Sequence, residues 1–87
     1  MIPEKGKVLI DFYADWCGPC KGMNPILDQF KESSDVPLIK VNVDEESEIA
    51  QKFGIRSIPC FIVVEDGEEK IKKIGMQSLE QLKELVK

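Results

Sequence analysis

Histidine is absent from this chain. Without imidazole there is no ordinary general base near neutral pH, and most zinc sites are excluded with it. No apolar stretch approaches the ~20 residues that cross a bilayer. Residues 1–7 contain no apolar core of a signal peptide, so the expectation is a cytoplasmic protein with no membrane partner. Positive charge is also short: 12 Lys and Arg face 16 Asp and Glu, a net charge of −4. Nothing forms the basic footprint that nucleic acid requires. The acidic residues gather at 44–48 and 65–69 and read as solvated turns rather than as a docking patch. Only three cysteines occur, too few to read as a structural disulfide framework in a reducing space.

What is present suffices for one globular domain over residues 1–87. The apolar fraction of 43% argues against disorder, and a chain this short buries about 60–65% of its unfolded surface. Residues 7–13 are apolar on both faces and predict a central strand. Residues 17–31 follow a helical pattern, with Met23, Ile26, Leu27 and Phe30 forming a core stripe, and Pro25 should kink that helix. Residues 38–43 predict a second strand. Asp44 is placed to cap a short helix that Gly54 ends. Strands at 60–65 and 69–74 flank an Asp66-Gly67 turn, and Lys70, Lys72 and Lys73 suit an exposed edge. Ser78 and Gln81 form a capping box for a last helix that buries Leu79, Leu82, Leu85 and Val86. The fold class is therefore α/β in the order βαβαββα, with the first two strands parallel and the last two antiparallel.

The informative motif is Trp16-Cys17-Gly18-Pro19-Cys20, at the junction of the first strand and first helix. With Cys17 as the N-cap, the amide of Cys20 and the positive helix end favour its thiolate, because Pro19 has no N–H to offer. Cys17 is then the exposed attacking sulfur. Cys20 faces inward and closes a disulfide with it, which makes the pair a two-electron carrier that needs no cofactor. Half of a zinc site is the other reading of such a pair, but only Cys60 remains to complete it. Asp11 interrupts an apolar run. As a buried carboxyl it would have a raised pKa and could take the proton of Cys20; as a strand-end residue it would be inert. Lys40, in the neighbouring strand, either reaches Asp11 or snorkels to solvent. Pro59 begins a strand, where it is tolerated, and a cis bond there would bring its backbone beside the cysteines.

With these residues in place the chain resembles the thioredoxins. The matching stretches run in order from Ile10-Asp11-Phe12-Tyr13-Ala14-Asp15-Trp16-Cys17-Gly18-Pro19-Cys20-Lys21 through Pro25-Ile26-Leu27 and Lys40-Val41-Asn42-Val43-Asp44. They continue through Phe53-Gly54-Ile55-Arg56-Ser57-Ile58-Pro59 and Asp66-Gly67 to Gly75. The resemblance implies a minimal thioredoxin fold: a four-stranded mixed sheet flanked by three helices. It implies Cys17 as nucleophile, Cys20 as resolving thiol, Asp11 as buried acid with Lys40 as its partner, and a cis Pro59. It also implies a shallow groove for an extended substrate segment, made by Trp16, Gly18, Pro19, Ile58 and Gly75. The function implied is reduction of disulfide-containing target proteins by a monomer that an external reductase recharges. Two departures stand out. Thioredoxins usually carry a further strand and helix before the Asp11 strand, so one sheet edge is expected to be bare. Cys60 occupies a position usually held by threonine, either as a buried apolar thiol or as a third redox group.

Three rival readings bear on function. A glutaredoxin-like reductase would draw on glutathione. An oxidase or isomerase would usually have histidine between the cysteines, where this chain has Gly18-Pro19. A non-catalytic binding subunit would keep its role without either sulfur.

Overall fold

The computed structural model describes residues 2–87. Strand β1 (Lys7–Tyr13) is buried along its length apart from its ends, as a run without polar alternation requires. It is an inner strand of a four-stranded sheet ordered β2-β1-β3-β4. β2 (Leu38–Asn42) lies parallel to β1. β3 (Cys60–Glu65) runs antiparallel to β1 on its other side, and β4 (Glu68–Ile74) antiparallel to β3. The mixed sheet expected from the strand pattern is therefore formed, with β2 and β4 as its edges.

The helix expected over 17–31 is broken in two, α1 (Gly18–Gly22) and α2 (Asn24–Ser33), joined at Met23. Pro25 is the cause, since it has no N–H to return to the carbonyl of Lys21. The interruption is one residue long, and Met23 keeps near-helical angles (φ −78°, ψ −17°). Met23 N donates to Cys20 O at 3.1 Å and Leu27 N to Met23 O at 2.8 Å, so Pro25 falls in the first turn of α2, where a missing N–H costs little. Helix α3 (Ser47–Lys52) is shorter than expected and Asp44 is not its cap. The Asn42 side chain accepts the amides of Asp44 at 2.9 Å and Glu45 at 3.3 Å, an Asx turn that delays the helix. Helix α4 (Leu79–Leu85) opens on the expected capping box: Gln81 N donates to Ser78 Oγ at 3.1 Å, and Ser78 N to Gln81 Oε1 at 2.8 Å.

Side-chain alternation along the strands divides the core between two sheet faces. Leu9, Phe61 and Val63 pack with Met23, Leu27 and Phe30 of the first helical layer and with Leu82 and Val86 at α4. Val8, Ile10, Phe12, Val41, Ile62 and Val64 pack on the other side, with Ile49 and Phe53 of the α3 segment. By the same alternation Asp11 shares the face of Leu9, beneath the helix that begins after Cys17. The β3–β4 turn has Asp66 at φ 54° and Gly67 at φ 83°, the positive values that suit a tight hairpin. One edge lysine does more than guard β4: Lys72 is half-buried and donates to the carbonyl of Phe53 at 2.6 Å, closing the C-terminal end of α3. No helix among the described residues is long and apolar enough to cross a membrane.

Candidate active site

The cysteine pair sits where β1 hands over to α1. Cys17 has extended backbone angles (φ −87°, ψ 108°) and is the N-cap of α1, with Pro19 in the first turn. Its Sγ accepts the amide of Cys20 at 3.2 Å. This is the single donor foreseen once Pro19 is discounted. Cys17 and Cys20 are joined as a disulfide, with a Cα–Cα distance of 5.2 Å that suits such a bond.

One expectation is corrected. Cys17 is not exposed: it is 4% accessible and Cys20 5%. Its sulfur is bonded to that of Cys20 and clusters with Ala14 and the flanking Tyr13, Val43 and Ile58. The exposed groups are its neighbours: Gly18 and Pro19 lie at the surface and Trp16 is 70% accessible. Trp16 does not wave freely, because its indole N–H donates to Asp44 Oδ2 at 2.9 Å.

The other residues expected in the groove lie at this same end of the sheet, where β3 begins and β4 ends. The Ile58-Pro59 peptide is cis; Pro59 is buried, and half-buried Ile58 packs on the cysteine cluster. Gly75 N donates to Pro59 O at 2.8 Å, tying the end of β4 to this loop. A Cβ built on Gly18 or Gly75 would meet nothing within 4 Å, so the surface above both is open to a ligand backbone.

Asp11 is 2% accessible and its Oδ1 has no hydrogen-bond partner. Burial pushes its pKa up to about 6, and the Lys40 ammonium partly offsets that rise. Lys40 is the register partner of Asp11 across β1 and β2, yet the two form no ion pair among the described residues. Its ammonium instead donates to Asn24 Oδ1 at 3.2 Å and lies 4.8 Å from the centroid of the Tyr13 ring. Lys40 is thus exposed, as the snorkelling alternative held, while its charge still reaches Asp11. A cavity of about 410 Å³ beside Cys20 is lined by Tyr13, Asp15, Lys21, Asn24 and Lys40, with Ala14.

Cys60 is a free thiol, 1% accessible. Desolvation raises its pKa first, with Glu69 and Asp11 adding to the rise and Lys72 opposing it. Burial and the raised pKa fit the reading of a buried apolar thiol. Sequence reasoning missed Asp44 as the anchor of Trp16, and Tyr13 and Asn24 as the seats of Lys40. Asp44 read as a helix cap because its local pattern fits one. Tyr13 and Asn24 gave no local signal at all, since their roles exist only across elements.

Comparison with known proteins agrees with this geometry. A family model described as Thioredoxin matches residues 1–87. The chain is 45% identical to a thioredoxin of Mycoplasmoides gallisepticum over 88 residues, covering 100% of this chain and 88% of that one. It is 44% identical to a thioredoxin of Bacillus subtilis, covering 95% and 82% of the two chains. Among solved structures, a mutant thioredoxin from Halobacterium salinarum superposes with a TM-score of 0.89 at 37% identity, covering 95% of this chain and 74% of that one. Reduced thioredoxin of Schistosoma mansoni gives 0.87 at 34%, covering 95% and 78%.

Proposed function

Because this chain belongs to the thioredoxin family and is a thiol–disulfide oxidoreductase, we propose that it delivers electrons to disulfides of target proteins, with Cys17 attacking and Cys20 resolving. An extended target segment lies in the groove of Trp16, Gly18, Pro19, Ile58 and Gly75. The thiolate of Cys17 attacks one target sulfur; a Cys17–target disulfide forms, and the other target sulfur leaves as thiolate. Cys20 gives its proton to Asp11 and attacks Cys17. The mixed disulfide breaks, the second target thiolate leaves, and the Cys17–Cys20 disulfide holds the oxidised state. Two electrons have passed to the target, and an external reductase returns the pair to dithiols.

The observation that carries this reading is the N-cap geometry. One backbone amide serves one sulfur, at the head of a helix, with the companion sulfur in bonding reach. Gly18-Pro19 places no histidine between the cysteines to stabilise the reduced thiolate further, which favours the reducing direction. The reading takes residues 1–87 as one functional unit, a monomer at work in a reducing compartment, the cytoplasm first. Free Cys60 suits such a compartment.

The test is reduction of a model protein disulfide such as insulin, with a dedicated reductase or glutathione as the electron source. Cys17→Ser abolishes turnover. Cys20→Ser accumulates a covalent complex with the target, visible on a non-reducing gel. Full activity in both variants overturns the scheme, and activity with glutathione alone overturns the choice of donor.

A further inference from the structure

Lys40 is opposite Asp11 in register and on the same sheet face. It carries a flexible four-carbon stem and a strongly hydrated charge. A nearby buried carboxyl with an unpartnered oxygen is the obvious destination for that ammonium, and yet it is held elsewhere. Asn24, the first residue of α2, accepts from Lys40 Nζ at 3.2 Å, while the Tyr13 ring lies 4.8 Å from it. The ammonium can only donate, so the Asn24 atom that faces it must be the carbonyl oxygen. We propose that Asn24 is a positioning residue, whose side-chain carbonyl parks the Lys40 ammonium away from Asp11 and leaves that carboxyl a stronger proton acceptor for Cys20.

The surroundings of Asp11 offer few other charges. The cavity beside Cys20 is lined by Tyr13 at the end of β1, Asp15 just after it, Lys40 from β2, and Cys20 and Lys21 from α1. α2 contributes Asn24, which is uncharged, and α4 packs Leu82 and Val86 on this face. β3 sets Phe61 opposite Asp11, with Cys60 turned to the other face. Lys40 is the one charge among these that moves the titration of Asp11, downward against the effect of burial. The position of this ammonium therefore controls how basic Asp11 is, and Asn24 controls the position. Tyr13 alone is a weaker seat, because a ring face attracts a cation without fixing it in one direction.

The inference rests on the reading of Asp11 as the proton acceptor, and two measurements keep the two apart. The first is an NMR titration of the Asp11 carboxyl in the oxidised protein. In Asn24→Ala the released ammonium moves toward Asp11, and the midpoint falls by about half a pH unit or more. Asn24→Gln retains an acceptor and restores the wild-type midpoint. Lys40→Met raises the midpoint, and Asn24→Ala then has no further effect in that background. A midpoint in Asn24→Ala within about 0.2 units of wild type, or a fall that persists without Lys40, overturns the proposal. The second measurement is the pH dependence of target release from the Cys17 mixed disulfide in a single turnover. Its acid limb moves down with the Asp11 midpoint in Asn24→Ala. A moved titration with an unmoved limb removes Asp11 from proton transfer and leaves the placement of Lys40 by Asn24 standing.

Discussion

Asp11 shows how much one side chain can cost a small protein. Its carboxyl binds a proton more tightly in the folded chain, at about 6, than at the ordinary value of 3.8. The folded state is therefore relatively most stable below the ordinary value and loses that advantage as pH rises through 6. Ionising this carboxyl in the folded chain costs about 3 kcal/mol at neutral pH. Asp11→Asn removes the charge at nearly constant shape, so urea unfolding of the oxidised variant should show a gain of up to about 3 kcal/mol at pH 7.5, shrinking toward zero near pH 3.5. At the rim of the site, Asp44 does for Trp16 what no sequence pattern announced. Asp44→Ala releases the indole, and the KM for a protein disulfide should rise roughly two- to tenfold with kcat unchanged, the worth of one hydrogen bond. Trp16 is the single tryptophan, so its fluorescence reports the release directly. Asp11 was legible because a carboxylate in an apolar run has few explanations. Asp44 was not, because its partner is 28 residues away in sequence.

Among the elements, those that rest on local chemistry matched their sequence signals. The capping box of α4 is an example, with both reciprocal bonds formed. Ser78→Ala should cost about 1 kcal/mol in urea unfolding, with disulfide reduction unaffected, since α4 is remote from the cysteines. The Asp66-Gly67 hairpin likewise follows from two residues that tolerate positive φ. Elements whose limits depend on competition were read less well. Pro25 was expected to kink a helix, and the helix is interrupted at Met23, whose amide donates three residues back to Cys20 O, before Leu27 N to Met23 O opens the first turn of α2. Asp44 was expected to cap α3, but Asn42 Oδ1 holds the amides of Asp44 and Glu45 in a turn before the helix, and Asp44 Oδ2 accepts the Trp16 indole instead. Propensity alone does not rank such rivals; the tertiary position of each side chain does.

The whole molecule is held by two thin apolar layers on either face of four strands. Phe30 is fully buried in the layer beneath α2 and α4, and Phe30→Ala should cost about 3–5 kcal/mol. That is a large fraction of the 5–15 kcal/mol typical of a domain. A loss of cooperative thermal unfolding, followed by circular dichroism, is the expected outcome. The sequence by itself determined the order of the strands, the parallel pairing of β1 with β2, the antiparallel hairpin of β3 and β4, and the redox pair. Each of these depends on side-chain periodicity, on turn residues, or on an amide within a few residues of the group it serves. Only the tertiary structure decided that Cys17 lies inward when oxidised, that Trp16 is pinned by Asp44, and that Lys40 answers to Asn24 rather than to Asp11. Those outcomes depend on which polar group lies nearest in space. That is settled by how sheet and helices pack, and chain spacing does not encode it.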